Sequence, residues 1–203
     1  AEGNSVWTAA RLDKLDLDGI DLSGAFLAGA IFDGSRLVDA QLMRTDLLQA
    51  SLKTVDLRKA ALTSAQMEEI IALKAKLDEA HLFEANLRSA SLEQVHAHQA
   101  NFVKADLSEA YLYMADFTGS TFTSANLSDA NLEAAIFRDT DLSLAVMDGV
   151  RIVDADFSGA NWWRAQGFTQ SQLDELSAKF APDEDAAAET RDDYQRWLNS
   201  TAP

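Results

Sequence analysis

The feature that most constrains this chain is a large apolar residue at every fifth position. The series runs from Leu12 to Trp162, and no insertion shifts its frame. Only Ala72 and Ala97 lack a large side chain at this position, which we call i. Position i−2 is mostly alanine, with Ser, Thr or Val as the usual substitutes. Such an internal period decides the fold and has to be interpreted before any local element is assigned.

A period of five fits neither a single helix nor a single strand. Five residues make about 1.4 helical turns, which would scatter the apolar stripe around the helix axis. A half-buried strand would alternate with a period of two. A unit that always buries i and i−2 needs a corner after every five residues, so four units close a square of twenty. Stacked squares can then pair side to side as parallel β-bridges about 4.8 Å apart.

Glycine and proline are placed as this structure requires. Seven glycines lie two residues after position i, where a type II turn needs a positive φ. They are Gly19, Gly24, Gly29, Gly34, Gly119, Gly149 and Gly159. No proline precedes Pro182, as expected where most backbone N–H groups donate to a ladder.

The repeated units resemble those of a known family. The stretches "ADLSEA", "ANLSDA", "ADFSGA" and "DLSGA" are similar to the A-(D/N)-L-x-x units of pentapeptide repeat proteins. The resemblance covers about residues 10–166 and implies an all-β solenoid, a right-handed quadrilateral parallel β-helix. Residues 1–9 would form an N-terminal lead-in, and residues 168–203 a C-terminal helical cap and tail.

Two segments depart from the repeat and share one pattern. "LTSAQMEEI" (62–70) and "FTQSQLDEL" (168–176) both carry Thr and Gln three residues apart, the spacing of a helix capping box. We therefore predict a cap helix after the last unit, which would cover apolar side chains and strand edges at the end of the solenoid. The same signal predicts an internal helix near 64–75. The alternative there is three degenerate units in a continuous coil.

A further helix is predicted at about 184–199. Its apolar residues are Tyr194, Trp197 and Leu198. They either pack back on the cap or join two subunits in a homodimer, and the sequence leaves both alternatives open.

Charge is distributed unevenly along the chain, whose formal net charge is −16. Residues 36–104 hold nine acids and nine bases. Residues 106–156 hold only Arg138 and Arg151 against ten acids. These acids are Asp106, Glu109, Asp116, Asp129, Glu133, Asp139, Asp141, Asp148, Asp154 and Asp156. Such a field disfavours direct contact with nucleic acid or an anionic membrane and favours a protein partner with a basic or mixed surface.

The compartment stays open at this stage. The chain has no cysteine, no apolar run of transmembrane length, and an N-terminus without methionine. A cytoplasmic location and export to a periplasm or lumen are equally compatible with these features.

No motif of enzymatic chemistry stands out. We find no phosphate loop, dinucleotide fingerprint or nucleophile elbow, and we predict neither catalytic residues nor a cofactor. His81, His96 and His98 all fall at outward positions. We predict no metal site, because His96 and His98 lack a third ligand at a persuasive spacing. The many Asp and Asn residues just before position i are expected to bond to corner backbone.

Outward apolar residues form the candidate contact surface. Met43, Phe83, Val103 and Trp163 share one position modulo twenty, together with Thr123, so they should line one side of the solenoid. Tyr111, Tyr113 and Met114 are further outward residues, expected on a neighbouring side. A contiguous exposed apolar patch is typical of a contact site, although an excursion at 64–75 would break the first stripe.

Two functions remain. The first is a non-catalytic, rigid scaffold for protein interaction. The second follows from the resemblance, because some family members, of the quinolone-resistance type, are similar to B-DNA in width and charge and bind DNA gyrase. The acidic second half would suit a protein that mimics DNA and binds DNA gyrase or another type II topoisomerase. The near-neutral first half and the lack of a long inserted loop depart from that type.

Overall fold

The computed structural model describes residues 6–201, without the side chain of residue 201, and its main body is a four-sided coil. Parallel β-bridges join residues twenty apart, from Val6 with Phe26 to Val146 with Gln166. The four sides are named here by their i residues: side 1 contains Leu22 and side 2 Leu27, while side 3 contains Leu12 and side 4 Leu17. The predicted square of twenty residues is confirmed. Val6 already bridges to Phe26, within the segment 1–9 for which a lead-in was predicted, and residues 1–5 lie outside the described part.

The core consists of two stacked series of side chains. Every residue at position i from Leu27 to Trp162 is buried, and so is every residue at i−2 from Ala25 to Ala160. Leu12, Leu17 and Leu22 are only partly buried, because the first coil has a neighbouring coil on one face alone within the described residues. The inward ladder predicted from the sequence is thus present along the whole repeat.

The predicted helix at 64–75 is wrong, and these residues form three ordinary sides of the coil. The N–H of Gln66 donates to the Thr45 carbonyl at 2.9 Å, and the N–H of Met67 donates to the Asn86 carbonyl at 2.7 Å. A helix would forfeit these bonds to the coils on both faces. A capping box stabilises a helix by only about 1 kcal/mol, so the ladder wins.

Core volume is conserved where the repeat looks degenerate. Ala72 occupies position i of its unit, but the i−2 residue of that unit is Ile70 instead of alanine, and both are buried. Val95 and Ala97 show the same exchange of large and small side chains. Because the two positions lie side by side in the interior, the exchange keeps the core filled at both units.

The cap follows the last coil. A 3₁₀ turn at Trp162–Arg164 leads to helix α1 (Gln170–Phe180) and then to helix α2 (Ala188–Thr201). Thr169 and Gln172 form the predicted capping box of α1. Leu176 is buried at the end of the core, with Leu173 and Phe180 partly buried beside it. The predicted C-terminal helical cap is confirmed, and α2 begins four residues later than the sequence indicated.

Helix α2 packs against the last coil of its own chain. The rings of Tyr194 and Trp197 lie 5.7 and 5.5 Å, centroid to centroid, from the ring of Trp162. The Asp193 carboxylate accepts hydrogen bonds from the Trp163 indole at 2.8 Å and from Arg164 Nε at 2.7 Å. The sequence left two alternatives open for Tyr194 and Trp197. Both side chains pack back on the cap region of their own chain.

Corner residues adopt a positive φ whether or not they are glycine. Twenty-four described non-glycine residues have φ between 54° and 61°, including the β-branched Thr54. An L-residue pays roughly 1–2 kcal/mol for this conformation. The sequence therefore locates only the corners at which glycine removes the strain, while the ladder imposes the same geometry at all the others.

Substituting Gly167 by alanine should destabilise the protein by about 2–3 kcal/mol, because backbone strain and steric overlap add there. Gly167 has φ +90°, and an added Cβ would lie 2.6 Å from the backbone nitrogen of Asp148. At Gly29 (φ +67°) an added Cβ would meet nothing within 4 Å. Gly29→Ala is thus the matched control and should cost about 1 kcal/mol. Chemical denaturation of both variants measures the difference, and equal losses would contradict the overlap.

Candidate interaction surfaces

The first candidate stripe lies on side 1 and keeps its register. Because no excursion interrupts the coil, Met43, Phe83 and Val103 all project from the same position of their turns, with Thr63 on the turn between Met43 and Phe83. Met43 is 38% exposed, whereas Phe83 and Val103 are half-buried. Lys104 Nζ lies 5.4 Å above the Phe83 ring and covers part of it. The stripe on side 1 therefore exposes less apolar surface to solvent than the sequence pattern predicts.

Trp163 does not belong to an open surface, contrary to the sequence prediction. It lies at the equivalent position of the last turn but is only 5% exposed. Helix α2 covers it, with the Tyr194 ring 5.2 Å from the Trp163 ring and Asp193 accepting its indole N–H. Trp163 therefore attaches the cap and is unavailable to a partner.

Tyr111, Tyr113 and Met114 form the most exposed apolar cluster of the candidate surface, and we name it the tyrosine patch. Their exposed fractions are 53%, 40% and 49%. The patch lies on side 3, opposite the stripe on side 1, and not on a neighbouring side as predicted. Ten residues separate Asn101 on side 1 from Tyr111, which is two of the four sides. The candidate contact residues thus form two separate surfaces.

Asp and Asn residues at i−1 stabilise the corners, as the sequence analysis expected. Asp106, for example, accepts the backbone N–H of Ser108 at 3.0 Å, and Asn126 accepts that of Ser128 at 3.1 Å. The same bond from i+1 to i−1 recurs on all four sides. Further acceptors are Asp16, Asp21, Asp46, Asp56, Asn86, Asn101, Asp116, Asn131, Asp141 and Asp156. The primary role of these carboxylate and amide side chains is therefore to stabilise the turns.

The ten acids of the second half divide into two sets. Three lie in ion pairs: Glu109 with Arg88, Glu133 with Arg151, and Asp156 with Arg138. Asp116 Oδ2 lies 3.0 Å from His98 Nε2. Asp106 and Asp141 accept several hydrogen bonds. The carboxylates of the remaining four accept no hydrogen bond and form no ion pair within the described residues. We name these the acidic belt: Asp129, Asp139, Asp148 and Asp154.

The acidic belt surrounds the last coils before the cap. Asp129 and Asp148 lie together on side 2, where an added Cβ at Gly149 would come within 2.2 Å of Asp129 Oδ1. Asp139 projects from side 4, and Asp154 from side 3. Their unpaired charges therefore generate a negative potential on three sides of this end of the coil.

Asp141 holds the last coil together by hydrogen bonds. Partial burial alone would raise its pKa, but bonds from Ser143, Asn161 and Thr123 outweigh this and lower the pKa to about 2. Asn161 Nδ2 donates to Asp141 at 2.7 Å, and Thr123 Oγ1 donates at 2.9 Å. The ionised carboxylate is thus the form that the folded state prefers.

The Asp141→Asn variant should be less stable than the parent at pH 7, by about 1 kcal/mol after allowance for solvent screening. Because the folded-state pKa is depressed, this contribution is present above about pH 4 and is lost as the pH falls towards 2. Denaturation at several pH values should show the two proteins converging in acid. Asp139→Asn, which removes no hydrogen bond, is the matched control, and an equal pH dependence in both variants would contradict the assignment.

Buried hydroxyl groups have structural partners. Ser35, Thr45, Ser120 and Thr140 replace alanine at i−2, and each donates its hydroxyl hydrogen bond to a backbone carbonyl of the core.

A cleft of about 500 Å³ opens between the last coil and the connection of α1 to α2. Asp139, Lys179, Thr190 and Trp163 are among its lining residues. Asp139 is the residue of the acidic belt that lines this cleft.

Neither helix of the cap has the length and apolarity that a bilayer crossing requires, and the described residues contain no other α-helix. The exposed sides of the coil carry charged residues at every turn.

Comparison with known proteins identifies the family. The family model for pentapeptide repeats matches residues 10–47, 85–123 and 125–161, in eight copies. The chain therefore belongs to the pentapeptide repeat family, and its fold is the right-handed quadrilateral β-helix with a C-terminal helical cap. The unmatched stretch between residues 47 and 85 contains the segment for which a helix was predicted. No curated protein sequence matches the chain.

Two solved structures are similar over most of the chain. HetL, a pentapeptide repeat protein involved in heterocyst differentiation regulation from the cyanobacterium Nostoc sp. strain PCC 7120, is 28% identical, with a TM-score of 0.52. The match covers 77% of this chain and 89% of HetL. Trypsin-treated QnrB1, a plasmid-mediated fluoroquinolone resistance protein, is 20% identical, with a TM-score of 0.67. That match covers 89% of this chain and 94% of QnrB1, and supports the fold alone.

Proposed function

We propose that this protein is a non-catalytic scaffold that binds a protein partner through the tyrosine patch on side 3. The observation that carries the proposal is the exposure of two tyrosines and a methionine, each at least 40% open to solvent, on a rigid ladder. Tyrosine is enriched at protein interfaces, because it buries a large area at a low cost in conformational entropy.

The rigidity of the coil favours this role. Tyr111 is bridged to Ser91 and Asn131, so its backbone is held by the coils on both faces. The backbone N–H of Met114 donates to the Glu133 carbonyl at 3.1 Å. Side chains on such a frame lose little freedom on binding, which is the advantage of a preorganised surface.

The charges next to the tyrosine patch indicate what kind of surface the partner should have. Glu93 and Glu133 occupy the positions directly before and after Tyr113 along side 3, and Glu133 pairs with Arg151 at 3.1 Å. A complementary surface has an apolar centre and a basic or mixed rim. The apolar centre supplies affinity, while the charged rim supplies orientation.

Capture from a lysate of the source cells tests the proposal. The Tyr111→Ser/Tyr113→Ser double variant should lose a protein that the parent retains. Met43→Ser/Phe83→Ser, on the opposite side, is the matched control and should retain it. Binding of the recovered protein should then be measured with purified components. If no captured protein distinguishes the two double variants, the tyrosine patch is not the contact site.

A second candidate is mimicry of DNA at a type II topoisomerase such as DNA gyrase, and the acidic belt favours it. Asp129, Asp139 and Asp148 present unpaired charge near one end of the rod, where a basic DNA-binding groove could receive them. Inhibition of gyrase supercoiling at micromolar protein, abolished in the Asp129→Asn/Asp139→Asn/Asp148→Asn variant but kept in the tyrosine double variant, would replace the scaffold proposal. Salt should weaken this binding strongly, because exposed charges are screened within about 8–10 Å.

A homodimer through the C-terminal helices is compatible with either function. Since Tyr194 and Trp197 pack within the chain, such a dimer would have to use the outer face of α2. Sedimentation of the full chain at several concentrations would test this arrangement.

A further inference from the structure

His96 and His98 stand side by side on side 4 of the coil. They occupy i−1 and i+1 around the buried Ala97, so both side chains project outward from the same turn. Their ring centroids lie 6.1 Å apart, with the ring planes at 87°. Two imidazoles at this separation form half of the ligand set that transition metals commonly use in proteins.

The next turn of the coil supplies a carboxylate. Asp116 is bridged to His96, so its side chain stacks directly beside the histidine pair. Asp116 Oδ2 lies 3.0 Å from His98 Nε2. The ligand atoms of His96, His98 and Asp116 all lie within 4.8 Å of one another. Two ligand atoms on a tetrahedral zinc ion, each about 2.0–2.1 Å from the metal, lie about 3.3–3.4 Å apart.

We propose that His96, His98 and Asp116 bind a divalent transition metal ion, with Zn²⁺ as the representative case. Two imidazoles and one carboxylate suit borderline ions such as Zn²⁺, Ni²⁺ and Cu²⁺. Mg²⁺ and Ca²⁺ prefer oxygen ligands throughout and are disfavoured. Three protein ligands leave at least one coordination position for water or for a group of a bound partner.

Neighbouring groups already orient two of the ligands. Asp78, on the preceding turn, lies 3.4 Å from His98 Nδ1, which directs Nε2 of that ring towards Asp116. Thr118 donates both its hydroxyl and its backbone N–H to Oδ1 of Asp116, at 2.6 and 3.0 Å. The second oxygen, Oδ2, therefore faces the histidines. Carboxylate–histidine–metal arrangements of this kind fix the ring and increase its basicity as a ligand.

The linear sequence hides this site. His96 and His98 are two residues apart, but Asp116 follows eighteen residues after His98 and Asp78 precedes it by twenty. Metal motifs on helices and loops have short spacings, and none of them contains an interval of one coil. The repeat brings the four residues together only because each turn of twenty residues stacks in register on the one before.

An ion pair is the competing explanation of the same geometry. A protonated His98 between Asp78 and Asp116 would satisfy both carboxylates without any metal. The two explanations differ in what happens when metal is supplied, because an ion pair alone gives no stoichiometric metal binding.

Isothermal titration of the full chain with Zn²⁺ tests the proposal. The parent should bind one equivalent. His98→Gln and Asp116→Asn should each lower the affinity at least about tenfold, and Asp78→Asn should lower it about tenfold through the orientation of His98. His81→Gln is the matched control, because His81 is an outward histidine on side 1, and it should bind like the parent. Binding below one equivalent, or unchanged binding in His98→Gln, would overturn the proposal.

Thermal unfolding provides a second readout. Zn²⁺ should raise the melting temperature of the parent and of His81→Gln, because the ion binds the folded coil, where turns twenty residues apart meet. It should leave the melting temperature of the His96→Gln/His98→Gln variant unchanged. Since these side chains are outward-facing, the circular dichroism of the metal-free variants should match that of the parent. An equal rise in the double variant would show that the ion binds elsewhere.

Discussion

Replacing Phe122 with alanine should lower the free energy of unfolding by about 3–5 kcal/mol. Phe122 is fully buried and stacks on Phe102, with ring centroids 4.7 Å apart and planes at 3°. Its ring also contacts Phe117 and Phe137 at 5.2 and 5.4 Å. The substitution removes the centre of this aromatic cluster, and a rigid ladder can collapse only partly around the cavity.

Chemical denaturation measures the effect of Phe122→Ala against two other substitutions. Leu127→Ala, on side 2 of the same core, should cost about 2–5 kcal/mol by the same cavity argument. Ser124→Ala, at an exposed corner of the Phe122 unit, should stay within about 0.5 kcal/mol of the parent. A loss below half a kcal/mol for Phe122→Ala would show that the ladder is not packed as described.

Trp162→Ala should cost about 3–5 kcal/mol and release the cap from the coil. Trp162 is fully buried, and its rings contact Trp163, Tyr194 and Trp197 at centroid distances between 5.5 and 5.7 Å. Its indole N–H donates to the Phe180 carbonyl at 3.3 Å, which ties the end of α1 to the last coil. The side chain therefore joins both cap helices to the solenoid.

Limited proteolysis and denaturation together measure this release. Cleavage in the connection between α1 and α2 should become faster in Trp162→Ala, and the unfolding curve should broaden, since the cap would separate before the coil. Trp7→Ala is the matched control: Trp7 is 49% exposed in the first coil, and its loss should leave cap proteolysis unchanged. Equal proteolysis of parent and Trp162→Ala would contradict the anchoring role.

Phe122→Ala and Trp162→Ala should destabilise different parts of the protein. In a repeat protein each coil is stabilised mainly by its neighbours, so a lesion in the middle weakens contacts on both faces, whereas a lesion at the end frees one cap. Phe122→Ala should accordingly act on the global transition. Trp162→Ala should produce a separate, local transition of the cap, while the first coils keep their amide protection.

The candidate surfaces were only partly predictable. The period of twenty was sufficient to align Met43, Phe83 and Val103, and counting sides would also have placed Tyr111 opposite them. The burial of Trp163 was not predictable, because it depends on where α2 returns to the coil. The sequence also could not separate the acids of the belt from those in contact with Arg138, Arg151 or His98, because these contacts form between adjacent coils.

The sequence by itself determined the period, the inward-facing residues, the corners occupied by glycine and the capping box at Thr169, because each depends on residues that are close together in the chain. Only the tertiary structure decided the state of residues 64–75, the burial of Trp163 and the meeting of His96, His98 and Asp116. The physical reason is the same in all three cases. Their conformations depend on hydrogen bonds and contacts with residues a full coil or more away, and those contacts outweigh or extend the local preferences that a sequence pattern expresses.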